Sequence, residues 1–402
     1  MTRDEGVRAV AAKALARAGR RVEAPTPPPK QAISMLVRRE DALEADWTEP
    51  PAWQHGGRER RPYSVAWIMS PPGESSGGHQ NLFRFIRFME QRGHRVTIYL
   101  YSSDPNFRDV DGVRRMVSTS PSYSRVSAAI RLYGDDGVAP DTDAIFATGW
   151  ETAYPVFRDR SRAERFYFVQ DFEPYFYAIG SESVLAENTY RFGFYGITAG
   201  AWLSRKLSDE YGMATDHFDF GADTTHYNLV NRGERREVFF YARPVTVRRG
   251  FELGILAMEQ FARMCPEYTI NLAGWDVDAW DIPFEHVNLR SLPVSQLNDL
   301  YNRCAGALVL SLTNMSLLPL ELLASGVIPV LNDGPNNRLV SDNPHIVYSA
   351  ATPKALAHTL AEVVRRPDLP DVAEAAAASV GHQGWESSGA KFVDIFERVM
   401  CG

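Results

Sequence analysis

The residues with the clearest chemical potential are two arginines, Arg243 and Arg249, which flank the turn after the apolar stretch VFFYA. A positive charge near the start of a helix opposes the helix dipole, so these arginines are poorly explained as helix-stabilising residues. A diphosphate bound between their guanidinium groups would explain both. The alternative is a pair of solvated arginines. We therefore predict an anion site at this turn, with both arginines acting as catalytic groups that stabilise negative charge.

A second candidate is Glu321, which interrupts the strongly apolar run LLPLELLASGVIPV. Burial of a carboxylate is costly unless it accepts hydrogen bonds, and the hydroxyls of a ribose are suitable donors. The alternative is an ordinary helix carboxylate bonded to nearby backbone. Immediately upstream we expect the start of a helix, whose free N–H groups would face a bound phosphate. The residues predicted to line this part of the site are Asn314, Met315, Ser316, Leu317 and Leu318.

A glycine-rich turn follows the first predicted strand, Ser64 to Met69. Glycines allow the backbone to approach a ligand closely, and the N-terminus of the following helix can bind phosphate oxygens. The predicted ligand-binding residues of this turn are Gly77, Gly78, His79 and Gln80. The turn lacks the spacing GxGxxG, which argues against a dinucleotide site. The alternative is a flexible turn in which the histidine has no role.

Acidic and aromatic residues follow two further predicted strands. Asp171 and Glu173 come after RFYFVQ, and Trp150 and Glu151 follow DAIFAT. We predict that Asp171 is catalytic and that the other three bind substrate, with carboxylates orienting the hydroxyls of a sugar; the alternative is a packed loop. Because we identify no DxD-like metal motif at a predicted cleft position, we expect a reaction that needs no metal ion and no cofactor beyond its co-substrate.

The elements that position these residues are strands and helices that alternate in two successive runs. The polar stretch NLVNRGERRE separates the runs. This alternation predicts two doubly wound, parallel α/β lobes, with ligands bound beyond the carboxyl ends of the strands. The predicted parts are a disordered or loosely docked extension with a short helix (Val7 to Ala18) and a proline-rich linker over 1–60, an acceptor-side lobe over 61–230, a donor-side lobe over 231–380, and a final helix over 381–402 that crosses back to the first lobe.

Composition excludes several classes of function. The chain of 402 residues has a formal charge of −7, which gives no general reason to bind nucleic acid. Its three cysteines are widely spaced and form no metal-binding pair, as expected in a reducing compartment. No signal peptide is recognisable, and no stretch is long and apolar enough to span a membrane. We therefore expect a cytoplasmic location, with peripheral contact to the inner face of the cell membrane left open.

Taken together, these segments resemble the GT-B family 4 glycosyltransferases over roughly residues 64 to 398. FGADTTHY is similar to the family segment that ends the first lobe, YARPVTVRRG to its two-cation motif, and LPLELLASGVIPV to its E-x7-E block. The resemblance implies the GT-B fold, in which two Rossmann-like lobes face a central cleft. It also implies a nucleotide-sugar donor whose diphosphate meets Arg243 and Arg249, ribose binding by Glu321, and transfer with retention of anomeric configuration.

One position departs from the family pattern, because the first glutamate of the E-x7-E block falls on Thr313. That glutamate normally contacts sugar hydroxyls, so its absence favours a deoxysugar. With FVQDFEP and ATGWETAYPV, the sequence is similar to bacterial rhamnosyltransferases of surface-glycan assembly, which implies dTDP-rhamnose as donor and a glycan or lipid-linked acceptor. The alternatives are a transferase that uses a UDP- or GDP-hexose and a non-catalytic nucleotide-sugar binder; the glycine spacing disfavours a nicotinamide oxidoreductase.

Overall fold

A computed structural model of the protein describes residues 35–49, 55–59, 61–74, 76–381 and 384–402. The predicted helix Val7 to Ala18 and the proline-rich linker lie outside the described residues. The chain divides into a unit over Met1–Met35 and a compact unit over Leu36–Gly402. All of the elements below belong to the second unit.

Seven parallel strands form the first sheet, in the order β3-β2-β1-β4-β5-β6-β7. Trp67 of the central strand β1 lies opposite Ile98 of β2 and Phe146 of β4. The inner strands are near-continuous apolar runs because helices cover both faces of a parallel sheet. The elements are α1 Arg39–Glu44, β1 Ser64–Met69, α2 Gly77–Gln91, β2 Arg95–Leu100, α3 Val110–Thr119, β3 Ala129–Leu132, β4 Ala144–Ala147, α4 Trp150–Arg158, β5 Glu164–Val169, α5 Ser181–Asn188, β6 Tyr195–Ala199, α6 Ala201–Tyr211 and β7 Thr215–Phe218.

Six parallel strands form the second sheet, in the order β10-β9-β8-β11-β12-β13. Leu308 of β11 lies opposite Phe240 of β8 and Val330 of β12, and all three are buried. The elements are β8 Glu237–Tyr241, α7 Phe251–Met264, β9 Thr269–Ala273, β10 Val287–Arg290, α8 Val294–Arg303, β11 Cys304–Val309, α9 Leu318–Ala324, β12 Ile328–Asn332, α10 Pro335–Arg338, β13 Val347–Ser349, α11 Pro353–Val364 and α12 Leu369–Val380.

In each sheet the strand order reverses beside the first strand of the lobe, between β1 and β4 and between β8 and β11. Open parallel sheets bind ligands in the crevice that such a reversal leaves at the carboxyl ends of the strands. The loops after β1, β4, β8 and β11 hold most of the residues that the sequence singles out. The fold therefore brings these residues to the ligand-binding ends of their sheets.

The final helix, α13 Trp385–Cys401, packs against α2 and β7 of the first lobe. Close approach is possible because Gly389 carries no side chain: a Cβ there would lie 2.2 Å from the ring of Phe88. Trp385 lies under the guanidinium of Arg84, whose central carbon is 4.1 Å from the ring centroid. The chain thus ends on the first lobe after completing the second.

The described residues from Leu36 onward differ from the loosely docked extension predicted for 1–60. Helix α1 packs against α4, and its Asp41 is buried. The hydroxyl of Tyr101 donates to Asp41 at 2.7 Å, and Arg158 forms an ion pair with the same carboxylate. Because a buried carboxylate needs such partners, this short helix is fixed in place as part of the compact unit.

Candidate functional site

A cluster of three arginines stands beyond the carboxyl end of β8. Arg243 follows the strand by two residues, and Arg248 and Arg249 close a 3-10 turn immediately before α7. Gly250 joins the turn to the helix with φ of 57°, a left-handed conformation that favours glycine, and a Cβ there would also press on Leu310 at 3.2 Å. The backbone therefore places three arginines at one end of the second sheet.

Arg249 is held in position from the neighbouring strand. Its guanidinium donates to the hydroxyl of Ser311 at 2.6 Å, and Ser311 is itself fully buried just after β11. Burial lowers the pKa of Arg249; Asp171 opposes this effect, and the charges of Arg248 and Arg243 add to it. The two arginines predicted from the sequence are therefore close enough to repel each other.

Four buried polar side-chain atoms of the arginine cluster and of the segment before α9 have no hydrogen-bond partner. They are the Nε atoms of Arg243 and Arg248, the amide oxygen of Asn314 and the hydroxyl oxygen of Ser316. The remaining contacts of Arg243 are weak: it donates to the Tyr241 hydroxyl at 3.3 Å and lies 6.0 Å from the ring centroid of Trp275. An unpaired buried polar group costs roughly 1–3 kcal/mol, so these atoms indicate a place for a polar, anionic ligand.

Glu321 lies in the first turn of α9 and is half-buried. Burial raises the pKa of its carboxyl to about 7, with Arg84 of the first lobe opposing the shift and Asp223 adding to it. Arg84, the cation that opposes this pKa shift, comes from α2 of the other lobe. A carboxylate in this setting gains most from a ligand that donates hydrogen bonds, and its contact to ribose hydroxyls stays a prediction.

The segment before α9 is only partly available for a phosphate, which corrects the prediction. The N–H of Asn314 already donates to Asp171 at 2.8 Å, and that of Met315 donates to the carbonyl of Asn336 at 3.2 Å. The side chains of Met315 and Leu318 are buried. Helix α9 begins at Leu318 after an N-cap at Leu317. Of the five predicted residues, only Ser316 and Leu317 are therefore left as candidates to contact a phosphate.

The glycine turn of the first lobe opens α2 directly, because that helix starts at Gly77. A Cβ on Gly77 would meet nothing within 4 Å, and no side chain caps the helix, so its first N–H groups face open space beside Gly78 and Gln80. His79 differs from the prediction: its ring nitrogens lie 2.9 Å from the Ser70 carbonyl and 2.7 Å from the Ser76 hydroxyl. With both nitrogens occupied, His79 fixes the turn and is not free to bind a ligand.

Asp171 also differs from its predicted role. The residue is buried, and each of its carboxylate oxygens is already bonded to the second lobe, through the Asn314 N–H and the hydroxyl of Thr313 at 3.0 Å. Arg248 forms an ion pair with the same carboxylate at 3.2 Å. A carboxylate with both oxygens engaged is poorly suited to act on a sugar. In place of the predicted catalytic role, the contacts of Asp171 indicate that it joins the two lobes.

Glu151 and Glu173 face each other above Gly149 in the first lobe. A Cβ on that glycine would lie 2.8 Å from a carboxylate oxygen of Glu151 and 3.5 Å from one of Glu173. The other oxygen of Glu173 accepts from the Trp150 N–H at 2.7 Å and from the Tyr167 hydroxyl at 2.9 Å. Trp150 itself is buried and donates through its ring to Tyr177, so it supports the carboxylate pair and offers no sugar-binding face.

This carboxylate pair predicts a pH-dependent stability. Burial, followed by the charge of Glu151, raises the pKa of Glu173 to about 8, whereas an unfolded glutamate titrates near about 4.3. The folded protein therefore holds this proton more tightly, and the stability that it contributes at low pH is lost as the pH rises toward 8. Relative to the parent, Glu173→Gln should raise the melting temperature more at about pH 8 than at about pH 5, because the amide mimics the protonated acid.

Thermal unfolding of both proteins across that pH range measures the effect. Glu182→Gln, an exposed glutamate at the start of α5, is the matched control and should leave the pH profile of the parent unchanged. A pH profile for Glu173→Gln that runs parallel to that of the parent would show that the pair carries no extra proton.

Two residues of this region were missed by the sequence reasoning. Arg248 is half-buried, and its guanidinium carbon lies 4.0 Å from the ring centroid of Phe176 in the first lobe. Its signal was present, because it stands directly beside Arg249 in the segment VRRG. Arg84 carried no comparable signal, since only the approach of the two lobes brings it near Glu321.

Metal and membrane features can be stated for the described parts of the chain. Within those ranges, no three or more His, Cys, Asp or Glu side chains come together in a way that could hold a metal ion. None of the helices in the same ranges combines the length and apolar character needed to cross a membrane.

Comparison with known proteins supports the same architecture. Residues 236–361 match the family described as WsaF, C-terminal domain. The chain is 33% identical over 381 residues to the O-antigen biosynthesis protein RfbC of Myxococcus xanthus, which covers 90% of this chain but only 29% of that protein. The chain therefore spans less than a third of its relative's length.

Solved structures resemble the chain over most of its length. A variant of Staphylococcus aureus TarM in complex with Fondaparinux, alpha-GlcNAc-glycerol and UDP superposes with a TM-score of 0.66 at 9% identity, covering 83% of this chain and 99% of TarM. A glycosyltransferase from Rickettsia africae gives 0.57 at 11% identity, covering 85% and 99%. These likenesses show that the fold is GT-B. Together with the family match and the relative, they place the chain in the class of proteins with the GT-B fold.

Proposed function

We propose that this protein is a glycosyltransferase that moves a sugar from a nucleotide-sugar donor to a glycan or lipid-linked acceptor during the assembly of a bacterial surface polysaccharide. The observation that carries the proposal is the convergence of Arg243, Arg248 and Arg249 beside buried, unpaired polar atoms. The name of the relative, an O-antigen biosynthesis protein, supports the surface polysaccharide as the product. The proposed location is cytoplasmic, with peripheral contact to the inner face of the membrane.

The donor in this proposal is dTDP-rhamnose. Support comes from the sequence resemblance to rhamnosyltransferases and from threonine at position 313, which offers a hydroxyl where a carboxylate would favour a fully hydroxylated hexose. The buried Thr313 hydroxyl already donates to Asp171, so position 313 itself contributes neither a charge nor a free hydroxyl to this side of the site. A UDP- or GDP-hexose donor is the second candidate, favoured by the UDP bound to TarM.

The proposed reaction is a transfer with retention that needs no metal ion. The acceptor oxygen bonds to the anomeric carbon on the face from which the nucleoside diphosphate departs, and its proton passes to the leaving phosphate. Arg243 and Arg249 stabilise the charge that develops on the departing diphosphate, a preorganised electrostatic effect. The exposed N–H groups at the start of α2 add to it from the opposite lobe.

A panel of donors tests this assignment, because a ligand stabilises the protein according to its excess over Kd. We expect dTDP-rhamnose to raise the melting temperature more than UDP-glucose or GDP-mannose, and labelled rhamnose to appear in a glycan product without added metal. A larger shift with a hexose donor would select the second candidate. Binding of a donor without turnover on any acceptor would instead indicate a non-catalytic binder.

Glu321→Ala tests the ribose contact. We expect donor affinity to fall about tenfold or more, since a hydrogen bond to a charged group contributes roughly 1.5–3 kcal/mol. Isothermal titration with dTDP measures the change. The control is Glu252→Ala, an exposed glutamate in the first turn of α7, which should bind as the parent does. An unchanged affinity for Glu321→Ala would remove this residue from the nucleotide site.

A further inference from the structure

The carboxylate of Asp171 occupies an unusual position for a first-lobe residue, because it reaches into the arginine cluster of the second lobe. One oxygen accepts from the N–H groups of Phe172 at 2.9 Å and of Asn314 at 2.8 Å. The other accepts from the Thr313 hydroxyl at 3.0 Å and pairs with Arg248 at 3.2 Å. An internal anion therefore sits against the cations that the proposed function assigns to a diphosphate.

The lobes are also joined around this carboxylate. The side-chain amide of Asn314 donates to the carbonyls of Gln170 at 3.0 Å and Ala199 at 2.8 Å, both in the first lobe. Gly200, which follows with φ of 86°, lets Val340 of the second lobe approach to 3.1 Å of where a Cβ would stand. These neutral contacts hold the lobes together without the help of any charge.

The charges in the cluster are not balanced. The guanidinium groups of Arg248 and Arg249 both interact with the Asp171 carboxylate, and Arg249 is repelled by Arg248 and Arg243. The Nε of Arg248 is buried and makes no hydrogen bond, so its contact with Asp171 is an ion pair of poor geometry. Guanidinium groups pair best with acceptors that meet two N–H groups at once, and a diphosphate offers several such oxygens.

We propose that Asp171 is a positioning residue that competes with the donor diphosphate: its carboxylate holds Arg248 when the site is empty and gives up this cation when a nucleoside diphosphate binds. The inference rests on the proposed function for the identity of the competing anion. This competition weakens the binding of the nucleoside diphosphate product, because release of the product restores the Asp171–Arg248 ion pair.

A purely structural tether would behave in the opposite way. If Asp171 served only to order Arg248 and the segment at Asn314, removal of its charge would loosen the site and weaken anion binding. If it competes, removal of its charge leaves a more positive site and strengthens anion binding. The sign of the change in affinity therefore separates the two roles.

Asp171→Asn is the decisive variant, since the amide oxygen can still accept from the Asn314 N–H while the charge is lost. We expect dTDP, UDP and inorganic pyrophosphate to bind about fivefold more tightly, the effect of one partly exposed charge interaction. Asp219→Asn, which removes an exposed carboxylate of the first lobe that pairs with Lys391, is the control for net charge and should bind as the parent does. In steady state, Asp171→Asn should lower both KM for the donor and kcat.

Thr313→Val gives a second test if Asp171→Asn is too unstable to titrate. It removes one bond that holds the carboxylate against Arg248 and keeps the charge, so competition predicts a smaller gain in pyrophosphate affinity and a tether predicts a loss. If the parent binds these anions and the variants bind them equally well or more weakly, Asp171 does not compete with the diphosphate. The proposed donor site is unaffected by that result. Failure of the parent to bind any of the three anions overturns the proposed function and this inference with it.

Discussion

Replacement of Arg243 by alanine is expected to lower turnover about a hundredfold or more, since one preorganised donor to a developing charge contributes about 3 kcal/mol in comparable sites. The fold should survive, because the side chain is half-buried and its contact to the Tyr241 hydroxyl is long. Arg243→Lys should recover part of the loss, since lysine keeps the charge without the planar fork. The measurement is kcat with a saturating nucleotide-sugar donor.

Arg236→Ala is a matched control for this experiment. Arg236 precedes β8 and Arg243 follows it, so the two arginines stand at opposite ends of one strand. Arg236 is exposed and pairs with Glu234, and its loss should leave turnover within a small factor of the parent. If Arg243→Ala were as active as Arg236→Ala, the anion site would have to lie elsewhere in the cleft.

The inner strands of both sheets could be predicted from the sequence because they are buried on both faces. Ser64 to Met69 and Ile328 to Asn332 are continuous apolar runs, and the structure places strands over the same residues. All four edge strands were missed: β3 and β7 of the first sheet and β10 and β13 of the second. Val287–Arg290 is partly exposed and Val347–Ser349 has only three residues, so neither presents a pattern that a sequence can distinguish from a loop.

The residues of the candidate site also fall into those that local sequence can reveal and those that it cannot. Arg243, Arg249 and Glu321 could be proposed from the sequence, because each is a charged residue where local structure alone makes the charge expensive. The contacts of Asp171 and Arg84 could not, because they depend on how closely the second lobe approaches the first. Periodicity predicts elements within one lobe and carries no information on the distance between two.

His79 shows a different limit of sequence reasoning. A histidine after a glycine turn has the right chemistry for a phosphate ligand, and nothing in the local sequence predicts that the Ser70 carbonyl and Ser76 hydroxyl occupy its ring. Burial lowers the pKa of this histidine, which favours the neutral ring; Nε2–H then donates to the Ser70 carbonyl and Nδ1 accepts from the Ser76 hydroxyl. His79 therefore stabilises the turn through these two contacts and does not bind a ligand.

Phe392→Ala is expected to destabilise the protein by about 3–5 kcal/mol, the cost of emptying a large, fully buried aromatic site. Phe392 lies on α13 and has no exposed surface. Its ring centroid is within about 6 Å of the ring centroids of five neighbours that come from strands and α2 of the first lobe, namely Phe85, Phe146, Phe168, Phe218 and Trp67. Urea unfolding followed by tryptophan fluorescence measures the loss, because Trp67 reports on the same cluster.

The effect should extend beyond this cavity, because α13 is the segment through which the chain returns from the second lobe to the first. Trp67 lies on β1 and Phe146 on β4, the two strands beside the strand-order reversal of the first sheet. Loosening them should increase the mobility of the Gly77 and Gly149 loops and lower activity before global unfolding begins. Ser387→Ala, at an exposed position of the same helix, is the control. If Phe392→Ala unfolded at the same urea concentration as Ser387→Ala, α13 would have no part in stabilising the first lobe.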